Sequence, residues 1–349
     1  MTDLKQQRFI ISSATVSSLT EGHEHDDADV LVDASGFELR EAEVTVKSHG
    51  QRLDLALVQI APEFSRSYLQ QLIESGSVAH NGRVQTKASA KVKAGDRLSI
   101  ELKPTPQSQA FKPEPIALDV VYEDSHILVI NKPAGLVVHP APGNWSGTLL
   151  NGLLSRDAQA AMLPRAGIVH RLDKNTSGLM VVARTRQAMD RLVQMIADRS
   201  VNRQYIALAH NPWQGTRTRQ VDFPVGRDVK NRLRMAVVDL AKNPGKTAST
   251  TITLLENGLN CCLLRCKLHT GRTHQIRVHM AALGHALLAD ELYGGPMAGG
   301  LHRQALHACE LAFEHPVTGE SLRFKSLVSA DIQAAMLKMG LSYNQTIET

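Results

Sequence analysis

Residues 167–183 read Gly-Ile-Val-His-Arg-Leu-Asp-Lys-Asn-Thr-Ser-Gly-Leu-Met-Val-Val-Ala, two apolar segments joined by a polar turn. The first segment predicts a short strand that runs into His170, and the second predicts a strand over 179–183. Between them Asp173 stands close to Arg171, where a carboxylate held between two buried strands could react. The same residues also fit an Asp that caps a turn with Arg171 as its surface partner, and chemistry alone favours this second interpretation.

A second polar cluster, Thr270-Gly-Arg-Thr-His-Gln-Ile-Arg-Val-His-Met, begins a predicted helix that runs to about Leu283. Thr273 is the expected N-cap of this helix. Arg277 lies beside the apolar stripe, so its guanidinium could reach inward toward a carboxylate. A helix start that carries Arg272 and His274 also suits a phosphate. The alternative is an amphipathic helix whose arginines extend to solvent.

The remaining pattern of residues 116–335 predicts more strands than helices, without regular alternation. This favours an α+β domain with a mixed, largely antiparallel sheet and a central cleft over a doubly wound parallel sheet. The other predicted strands are Val120–Tyr122, Ile127–Asn131, Tyr205–Ala209, Thr250–Leu255 and Cys262–Leu268. The other predicted helices are Leu149–Leu154 and Gln187–Ala197.

A smaller α+β unit is predicted over 47–103. Apolar spacing indicates one helix ending before Pro62 and a second that begins after Ser65, its expected N-cap. Asn81-Gly82 predicts a tight hairpin turn. The basic residues of this unit fall at helix starts and turns, where they would face solvent together. They include Arg52, Arg66 and Lys87.

The charges divide the chain unevenly. Residues 1–46 hold ten acids and three bases, a net charge of −7, whereas the other 303 residues carry +12. We interpret 1–46 as an acidic, disordered arm, 104–115 as a linker and 336–349 as a C-terminal tail. A basic body favours polyanionic partners, nucleic acid first. Lys and Arg that only solvate the surface are the alternative.

Several classes of protein lose support from the sequence. The longest apolar runs fall far short of the ~20 residues that span a bilayer, and the first thirty residues carry no secretory pattern. There is no dinucleotide-binding or P-loop motif. Cys261, Cys262 and Cys266 lack zinc-site spacing and are expected to be buried, reduced packing residues. We therefore expect a soluble, cytoplasmic protein that needs no metal.

His170-Arg-Leu-Asp-Lys-Asn-Thr-Ser-Gly resembles the H-R-L-D-x-x-T-S-G motif of the RluA family of pseudouridine synthases. Further segments agree in order and spacing. They are Val121-Tyr-Glu-Asp, Ile130-Asn-Lys-Pro-Ala-Gly, Arg203-Gln-Tyr-Ile-Ala, Gly271-Arg-Thr-His-Gln-Ile-Arg-Val-His and Asp290-Glu-Leu-Tyr-Gly. The small unit resembles the RNA-binding domain shared with ribosomal protein S-four. The resemblance covers about 47–330, and within the family it is greatest to the branch that modifies 23S rRNA.

This resemblance implies an isomerase that detaches uracil from ribose, rotates it and rejoins it through carbon 5. Asp173 matches the catalytic aspartate, Tyr205 the active-site tyrosine and Arg277 the basic residue that pairs with the aspartate. Arg171 matches the residue that enters the space left by the extruded uridine. The Asp could attack the base or the sugar, or remove a sugar proton. Neither redox change nor group transfer occurs, so no cofactor is expected.

Ribosomal RNA of the large-subunit precursor is the expected partner, with the helix 69 stem-loop of 23S rRNA as the first choice of substrate, and the protein is expected to be a monomer. Further RNA contacts are expected from a basic loop region. Its members are Arg217, Arg219, Arg227, Lys230, Arg232 and Arg234. The predicted RNA-binding set is completed by four residues near Asp173 and Arg277 and three of the small unit. They are His170, Arg171, Arg272, His274, Arg52, Arg66 and Lys87. The alternatives are a synthase for tRNA or another rRNA site, and a catalytically silent ribosome-assembly factor.

Overall fold

In a computed structural model, residues 31–32, 38–62, 64–102, 110–141, 143–232 and 234–342 are described. They belong to two compact units that divide between Pro104 and Thr105. The elements of the first unit are β1 (Leu31–Val32), β2 (Glu38–Glu43), α1 (Leu53–Ile60), α2 (Arg66–Glu74), β3 (Val78–His80), β4 (Arg83–Val84) and β5 (Arg97–Leu102). Their strands form an antiparallel sheet in the order β1-β2-β5-β3-β4.

The local signals of the first unit are confirmed. Ser65 caps α2, because its hydroxyl accepts a hydrogen bond from the Tyr68 amide at 3.3 Å. Asn81 and Gly82 both have positive φ, which a two-residue hairpin turn between β3 and β4 requires. Leu57, Ile73 and Ile100 are fully buried and join the two helices to the sheet.

The interpretation of 1–46 as one arm is wrong for its last part. Glu38–Glu43 form β2, which pairs along its whole length with β5, so this acidic stretch is part of the sheet. Its partner strand β5 begins more than fifty residues later, so no pattern in the local sequence predicts the pairing. Residues 1–30 and 33–37 of the predicted arm lie outside the described residues, as do residue 103 and residues 104–109 of the predicted linker.

The second unit contains the other twelve numbered strands and four α-helices of the described residues. The strands are β6 (Val120–Glu123), β7 (Ile127–Lys132), β8 (Ser177–Ala183), β9 (Asn202–His210), β10 (Thr218–Val221), β11 (Val225–Arg227), β12 (Met235–Val237), β13 (Gly245–Lys246), β14 (Thr250–Asn257), β15 (Cys261–Leu268), β16 (Leu306–Glu314) and β17 (Ser321–Lys325). The helices are α3 (Leu149–Arg156), α4 (Arg186–Ala197), α5 (Gln275–Ala282) and α6 (Ala330–Lys338).

Nine strands form the main sheet in the order β10-β14-β15-β9-β16-β8-β7-β6, with β17 also paired to β16. All of these pairs are antiparallel except β16 with β8. Strands β12, β11 and β13 make a small separate sheet. The predicted α+β class with a mixed, largely antiparallel sheet is confirmed.

Helices cover both faces of the sheet, and the side chains of β9 alternate between them. Tyr205 and Ala207 belong to the core that α3 and α5 cover. Ile206 and Leu208 belong to the opposite core, which α6 covers. Strand β9 pairs with β15 on one side and β16 on the other, and both its faces are packed. Its register is therefore fixed, and with it the face on which Tyr205 lies.

A close approach between two strands explains why the Asp173 motif contains a glycine at position 178. Gly178 lies at the one parallel pairing of the sheet with a φ of 114°, and a Cβ there would stand 2.2 Å from the Ala308 carbonyl oxygen. No other residue fits this close approach without moving β16 away from β8. The strand after Asp173 is therefore locked against the centre of the sheet.

The predicted domain end at residue 335 is wrong. Helix α6 continues to Lys338, and Met336 and Leu341 are buried against the sheet. Residues 336–342 thus belong to the folded second unit, while residues 343–349 lie outside the described part of the chain. Cys261, Cys262 and Cys266 are free and buried, as expected, and Cys309 is so as well. Among the described residues, no helix combines the length and apolar character needed to cross a membrane.

Candidate active site

Asp173 lies in the turn that precedes β8. Leu172 is buried beside it, and the Asp173 carbonyl accepts a hydrogen bond from the Thr176 amide at 3.0 Å. The carboxylate is only 15 % exposed, yet it lines a cleft of the second unit. A buried hydrophobic neighbour and a closed turn therefore fix the carboxylate at a place that a ligand can reach.

A buried lysine holds the backbone just after Asp173. Lys132, at the end of β7, is 1 % exposed, and its ammonium donates to the carbonyls of Pro133, Leu136 and Lys174 at 2.7, 3.0 and 3.0 Å. Burial, with a smaller contribution from the Arg303 charge, lowers the pKa of Lys132 to about 7, although the Asp173 charge opposes this. Three carbonyls use all three ammonium protons, so the charged form is fully hydrogen-bonded.

An arginine holds the next residue of the same turn. Arg303 donates to the Asn175 carbonyl at 2.8 Å and binds both oxygens of Asp331 at 2.6 and 2.8 Å. It also donates to the Ser329 hydroxyl at 2.8 Å. Because Ser329 and Asp331 stand at the start of α6, this arginine connects the Asp173 turn with the last helix of the described chain.

Arg277 projects from α5 into the same place. Its Nε and Nη2 bind the two oxygens of Asp290 at 2.8 Å each, and its Nη1 donates to Asp173 Oδ2 at 3.1 Å. Its side chain is 7 % exposed and its guanidinium carbon lies 4.9 Å from the centre of the Tyr293 ring. Burial alone would lower the pKa of Arg277, but the two carboxylates outweigh it and the pKa lies above its usual range.

The start of α5 differs from the prediction. The N-cap position is His274 rather than Thr273, and His274 adopts a left-handed φ of 57° without a side-chain cap. The Gln275 side chain holds the turn before α5 instead. Its oxygen accepts hydrogen bonds from the Arg272 amide at 3.0 Å and the Thr270 hydroxyl at 2.7 Å. This backbone conformation, costly for a residue other than glycine, aims the His274 ring into the cleft.

His274 is a second neighbour of Asp173. Its Nδ1 and the Tyr293 hydroxyl form a hydrogen bond at 2.8 Å, and the same hydroxyl accepts from the Met235 amide at 3.0 Å. Its Nε2 lies 3.8 Å from Asp173 Oδ1. Burial lowers the pKa of His274 despite the charge of Asp173, which favours the neutral ring.

Tyr205 lies in the cleft wall on the central strand β9, 5 % exposed. Burial raises the pKa of Tyr205 to about 12; the Arg203 charge opposes the rise and the Asp173 charge adds to it. The phenol is thus protonated throughout the physiological pH range. The structure brings Asp173, Tyr205 and Arg277, which lie on three separate segments of the sequence, to one cleft of about 740 Å³.

The charge of this cleft is one-sided. Among the described residues that line it, Asp173 is the only carboxylate, and Arg277 already binds it. The other lining arginines are Arg165, Arg171, Arg199, Arg203 and Arg272. Such a surface attracts a polyanion.

His170 also lines the cleft but enters it uncharged. Its Nε2 accepts a hydrogen bond from the Val181 amide at 3.0 Å, and burial lowers the pKa of His170 to about 3. Of the residues predicted to bind RNA, His170, Arg171, Arg272 and His274 share the cleft. His170 can contribute to RNA binding by the shape of its ring and not by charge, because its Nδ1 is buried.

The other predicted RNA contacts lie elsewhere. Arg52 and Arg66, in the first unit, both bind the carboxylate of Asp54, whose side chain is fully buried. Lys87 is exposed in the same unit. The other three are exposed in the second unit. Arg217 precedes β10, Arg219 lies within it and Arg232 follows β11. Arg234 differs from them because it pairs with Asp228 at 2.6 Å.

Sequence reasoning missed four residues that position Asp173. They are Lys132, Asp290, Tyr293 and Arg303. Asp290 and Tyr293 belong to a segment singled out by family resemblance, and Lys132 to another, but no role could be assigned from the pattern. Arg303 lies just before β16, whose pairing with β8 brings it to the turn.

A carboxylate held by a buried arginine, in an arginine-lined cleft of a mixed sheet, suits an enzyme that acts on RNA. Residues 126–282 match the family described as RNA pseudouridylate synthase, and residues 51–98 match the S4 domain. The S4 match confirms the predicted relation of the small unit to that RNA-binding domain. The chain belongs to the family of RNA pseudouridine synthases and is therefore an isomerase.

Relatives refine this placement. The chain is 45 % identical over 306 residues to "Ribosomal large subunit pseudouridine synthase D" of Neisseria meningitidis serogroup B, covering 83 % of this chain and 79 % of the relative. It is 44 % identical to the protein of the same name from Xanthomonas campestris pv. campestris, covering 85 % and 92 %. The predicted resemblance to the RluA family, and within it to enzyme D (RluD), is confirmed.

A solved structure agrees in fold. "Human RNA Pseudouridylate Synthase Domain Containing 4" superposes with a TM-score of 0.51 at 24 % identity, covering 65 % of this chain and 95 % of the human one. This likeness concerns the fold alone.

Proposed function

We propose that this enzyme converts uridine to pseudouridine in 23S rRNA of the large ribosomal subunit, with the helix 69 stem-loop as its target. The observation that carries the chemistry is the contact of Arg277 with Asp173 at the floor of the arginine-lined cleft. The names of the relatives support the large subunit as the substrate. A loop is the favoured target because its unpaired bases cost less to extrude than paired ones.

The reaction is an isomerisation that balances without a cofactor. The N1–C1′ glycosidic bond breaks, a C5–C1′ bond forms, the C5 proton leaves to solvent and N1 gains a proton. Asp173 acts as the carboxylate that this exchange requires, by attack on the base or the sugar or by removal of a sugar proton. An ionised carboxylate needs no further base to activate it.

The neighbours of Asp173 have separate roles in this proposal. Arg277 keeps the carboxylate oriented, since a charge-assisted hydrogen bond has strict geometry. Tyr205 packs on the extruded uracil as a neutral phenol and can exchange a proton with it. Arg171, exposed at the cleft, enters the space that the uridine leaves. Arg272 and His274 contact phosphate or ribose beside it.

Substrate RNA is held by two basic surfaces in this proposal. The S4 domain contributes Arg52, Arg66 and Lys87, and the catalytic unit contributes Arg217, Arg219 and Arg232. Binding through several phosphates makes affinity fall steeply with salt, because each contact releases a counterion. The enzyme acts as a monomer in the cytoplasm.

The decisive experiment measures tritium released to water from large-subunit rRNA labelled at uridine carbon 5. We expect release with wild-type enzyme, and carbodiimide mapping of rRNA from a strain without the gene should lack pseudouridine in the helix 69 loop. Intact signals there, with loss at another rRNA site or in tRNA, would instead assign a sister specificity. Tight RNA binding without any tritium release would favour the silent assembly factor.

A further inference from the structure

Two aromatic side chains that the chemistry does not use line the active-site cleft. Phe111 is 70 % exposed, and Trp145 is partly exposed. Both share the cleft lining with Asp173 and Tyr205. Removing an apolar ring from water is favourable. Binding of a partner that covers these two rings would therefore be stabilised.

The backbone that carries Trp145 is held on both sides. Ala141 and Asn144 exchange two backbone hydrogen bonds, at 3.0 and 2.8 Å. After the tryptophan, the Gly147 amide donates to both carboxylate oxygens of Glu114 at 3.0 Å each. Thr148 then caps α3. Trp145 is thus presented by a fixed turn.

The backbone of Phe111 is tied to the same helix start. The Asn151 side chain, on the first turn of α3, donates to the Lys112 carbonyl at 2.8 Å and the Ala110 carbonyl at 3.4 Å. These two carbonyls flank Phe111. Both aromatic residues are therefore anchored through one helix N-terminus, which reduces the entropy that a ligand would lose by ordering them.

Arginine side chains line the same cleft as Trp145 and Phe111. Arg165 and Arg171 line the cleft and, after burial, are the causes that lower the pKa of His139 to about 4. His139 is therefore a neutral ring in the same lining, next to Pro140. Neutral flat surfaces beside arginines are the combination that binds unpaired nucleotides, by stacking on bases and pairing with phosphates.

We propose that Trp145 and Phe111 form a second nucleotide subsite, which stacks on an unpaired base adjacent in the RNA to the extruded uridine. The proposal rests on the proposed function, because it extends the substrate of the Asp173 site from one uridine to a pair of splayed nucleotides. It assigns the ligand class by its chemistry, an unpaired nucleobase with its phosphate. The choice of uridine then depends on a neighbour as well as on the target.

Fluorescence can test binding without turnover. The protein has two tryptophans, and Trp213 is buried with its indole N–H bonded to the Thr216 carbonyl at 2.9 Å. We compare full-length Asp173→Asn protein with and without Trp145→Phe during titration with a helix 69 stem-loop RNA. Quenching in the first and its absence in the second is expected for a stacked Trp145. Equal fluorescence changes in both proteins would overturn the subsite.

Kinetics identify the base. Trp145→Ala in the otherwise wild-type chain should raise KM for tritiated stem-loop RNA by about 5- to 150-fold, and Trp145→Phe, which keeps a ring, should restore most of it. An abasic residue at one loop position next to the target should raise KM for the wild type and leave that of Trp145→Ala unchanged. Additive effects of the two changes at every adjacent position would refute stacking on a neighbour.

The two proposals fail in different ways. If the wild type releases no tritium from this stem-loop but releases it from another RNA, the proposed target is wrong, and the same quenching and abasic series is run on that RNA. If the stem-loop is turned over normally and Trp145→Ala changes neither KM nor quenching, the target stands and the subsite is wrong.

Discussion

Arg277 holds Asp173 with the one guanidinium nitrogen that its pairing with Asp290 leaves free. Nε and Nη2 bind Asp290, and Nη1 binds Asp173 Oδ2 at 3.1 Å. A two-point pairing fixes the plane of the guanidinium, whereas a single hydrogen bond would leave it free to rotate. The direction from which Asp173 is held therefore depends on a carboxylate thirteen residues beyond Arg277.

Asp290→Asn tests this dependence. The amide can keep one hydrogen bond but cannot accept both, so Arg277 loses its fixed plane. Loss of a charged hydrogen bond of about 1.5–3 kcal/mol predicts a decrease in kcat of about 10- to 150-fold, with little change in KM for RNA. Single-turnover tritium release measures it. Asp190→Asn, an exposed helix carboxylate in the same unit, is the matched control.

A decrease in the melting temperature alone would not produce this split. If Asp290→Asn raises KM and leaves kcat unchanged, Asp290 contributes to RNA binding rather than to the position of Asp173. The same enzyme preparations provide both constants, so the two outcomes are separated in one experiment.

Asp173→Asn should abolish tritium release and leave RNA affinity and stability close to the wild-type values. The amide keeps the shape and an oxygen that Arg277 Nη1 can still reach, but the negative charge and most of the nucleophilicity are lost. Filter binding and thermal unfolding verify that the protein is intact. Turnover above background in a preparation free of host enzyme would remove Asp173 from its assigned role.

Local signals predicted much of this molecule because their causes are local. Ser65 caps a helix three residues from its partner, and Asn81-Gly82 tolerates the positive φ of its turn. Strand β2 was missed because its acidic residues are held by pairing with β5. The pattern around Arg277 predicted a carboxylate partner without identifying Asp290, since both lie in the site only through the tertiary fold.

The residues that hold the Asp173 turn illustrate the same limit. A lysine after a strand is usually a surface residue, and Lys132 is buried only because three carbonyls converge on it. Arg303 reaches Asn175, 128 residues earlier, through the parallel pairing of β16 with β8. Neither contact joins residues at a regular spacing in the sequence, so the pattern of apolar residues could not predict it.

Tyr205→Phe should retain the fold, since the ring packs in the central core and the change removes one oxygen. Loss of a proton-transfer group predicts a decrease in kcat of about 100- to 10,000-fold. Because the pKa of Tyr205 is raised to about 12, the wild-type pH–rate profile should show no alkaline limb from this phenol below about pH 10. An unchanged kcat in Tyr205→Phe would restrict Tyr205 to packing.

The stability of the enzyme should depend on Lys132 at alkaline pH. The folded pKa is about 7, below the usual value near 10.4 that the unfolded chain retains. Between these values the unfolded state binds a proton that the folded state lacks, so the free energy of unfolding rises with pH, by up to about 1.4 kcal/mol per unit. Below pH 7 both states are protonated and this contribution is constant.

Lys132→Met removes this titration. Urea unfolding at pH 6, 7, 8 and 9 should show that the wild type gains stability over the variant as pH rises from 7 to 9. Lys338→Met, an exposed lysine of α6, should keep a constant difference from the wild type. If the curves for Lys132→Met and wild type run parallel, the ammonium stays protonated, and the three carbonyls rather than burial determine its pKa.

Asp54 organises two of the predicted RNA-binding arginines of the S4 domain. Its buried carboxylate accepts hydrogen bonds from Arg52 at 2.9 and 3.1 Å, and from Arg66 at 2.8 and 3.1 Å. The Arg52 hydrogen bond is the first cause that keeps the pKa of Asp54 below its usual range. Both arginine side chains remain 39 % and 47 % exposed, so one buried anion presents two cations to solvent.

If both arginines contact phosphates, replacing them lowers the salt dependence of RNA binding. Arg52→Ala with Arg66→Ala should reduce the slope of log affinity against log salt by about 2, and Lys87→Ala by about 1, because each lost contact releases one counterion fewer. Lys338→Ala should leave the slope unchanged. Affinity for an rRNA fragment is measured between 50 and 300 mM salt with the full chain. Weaker binding with an unchanged slope would mean that the arginines stabilise the domain around Asp54 and do not touch the RNA backbone.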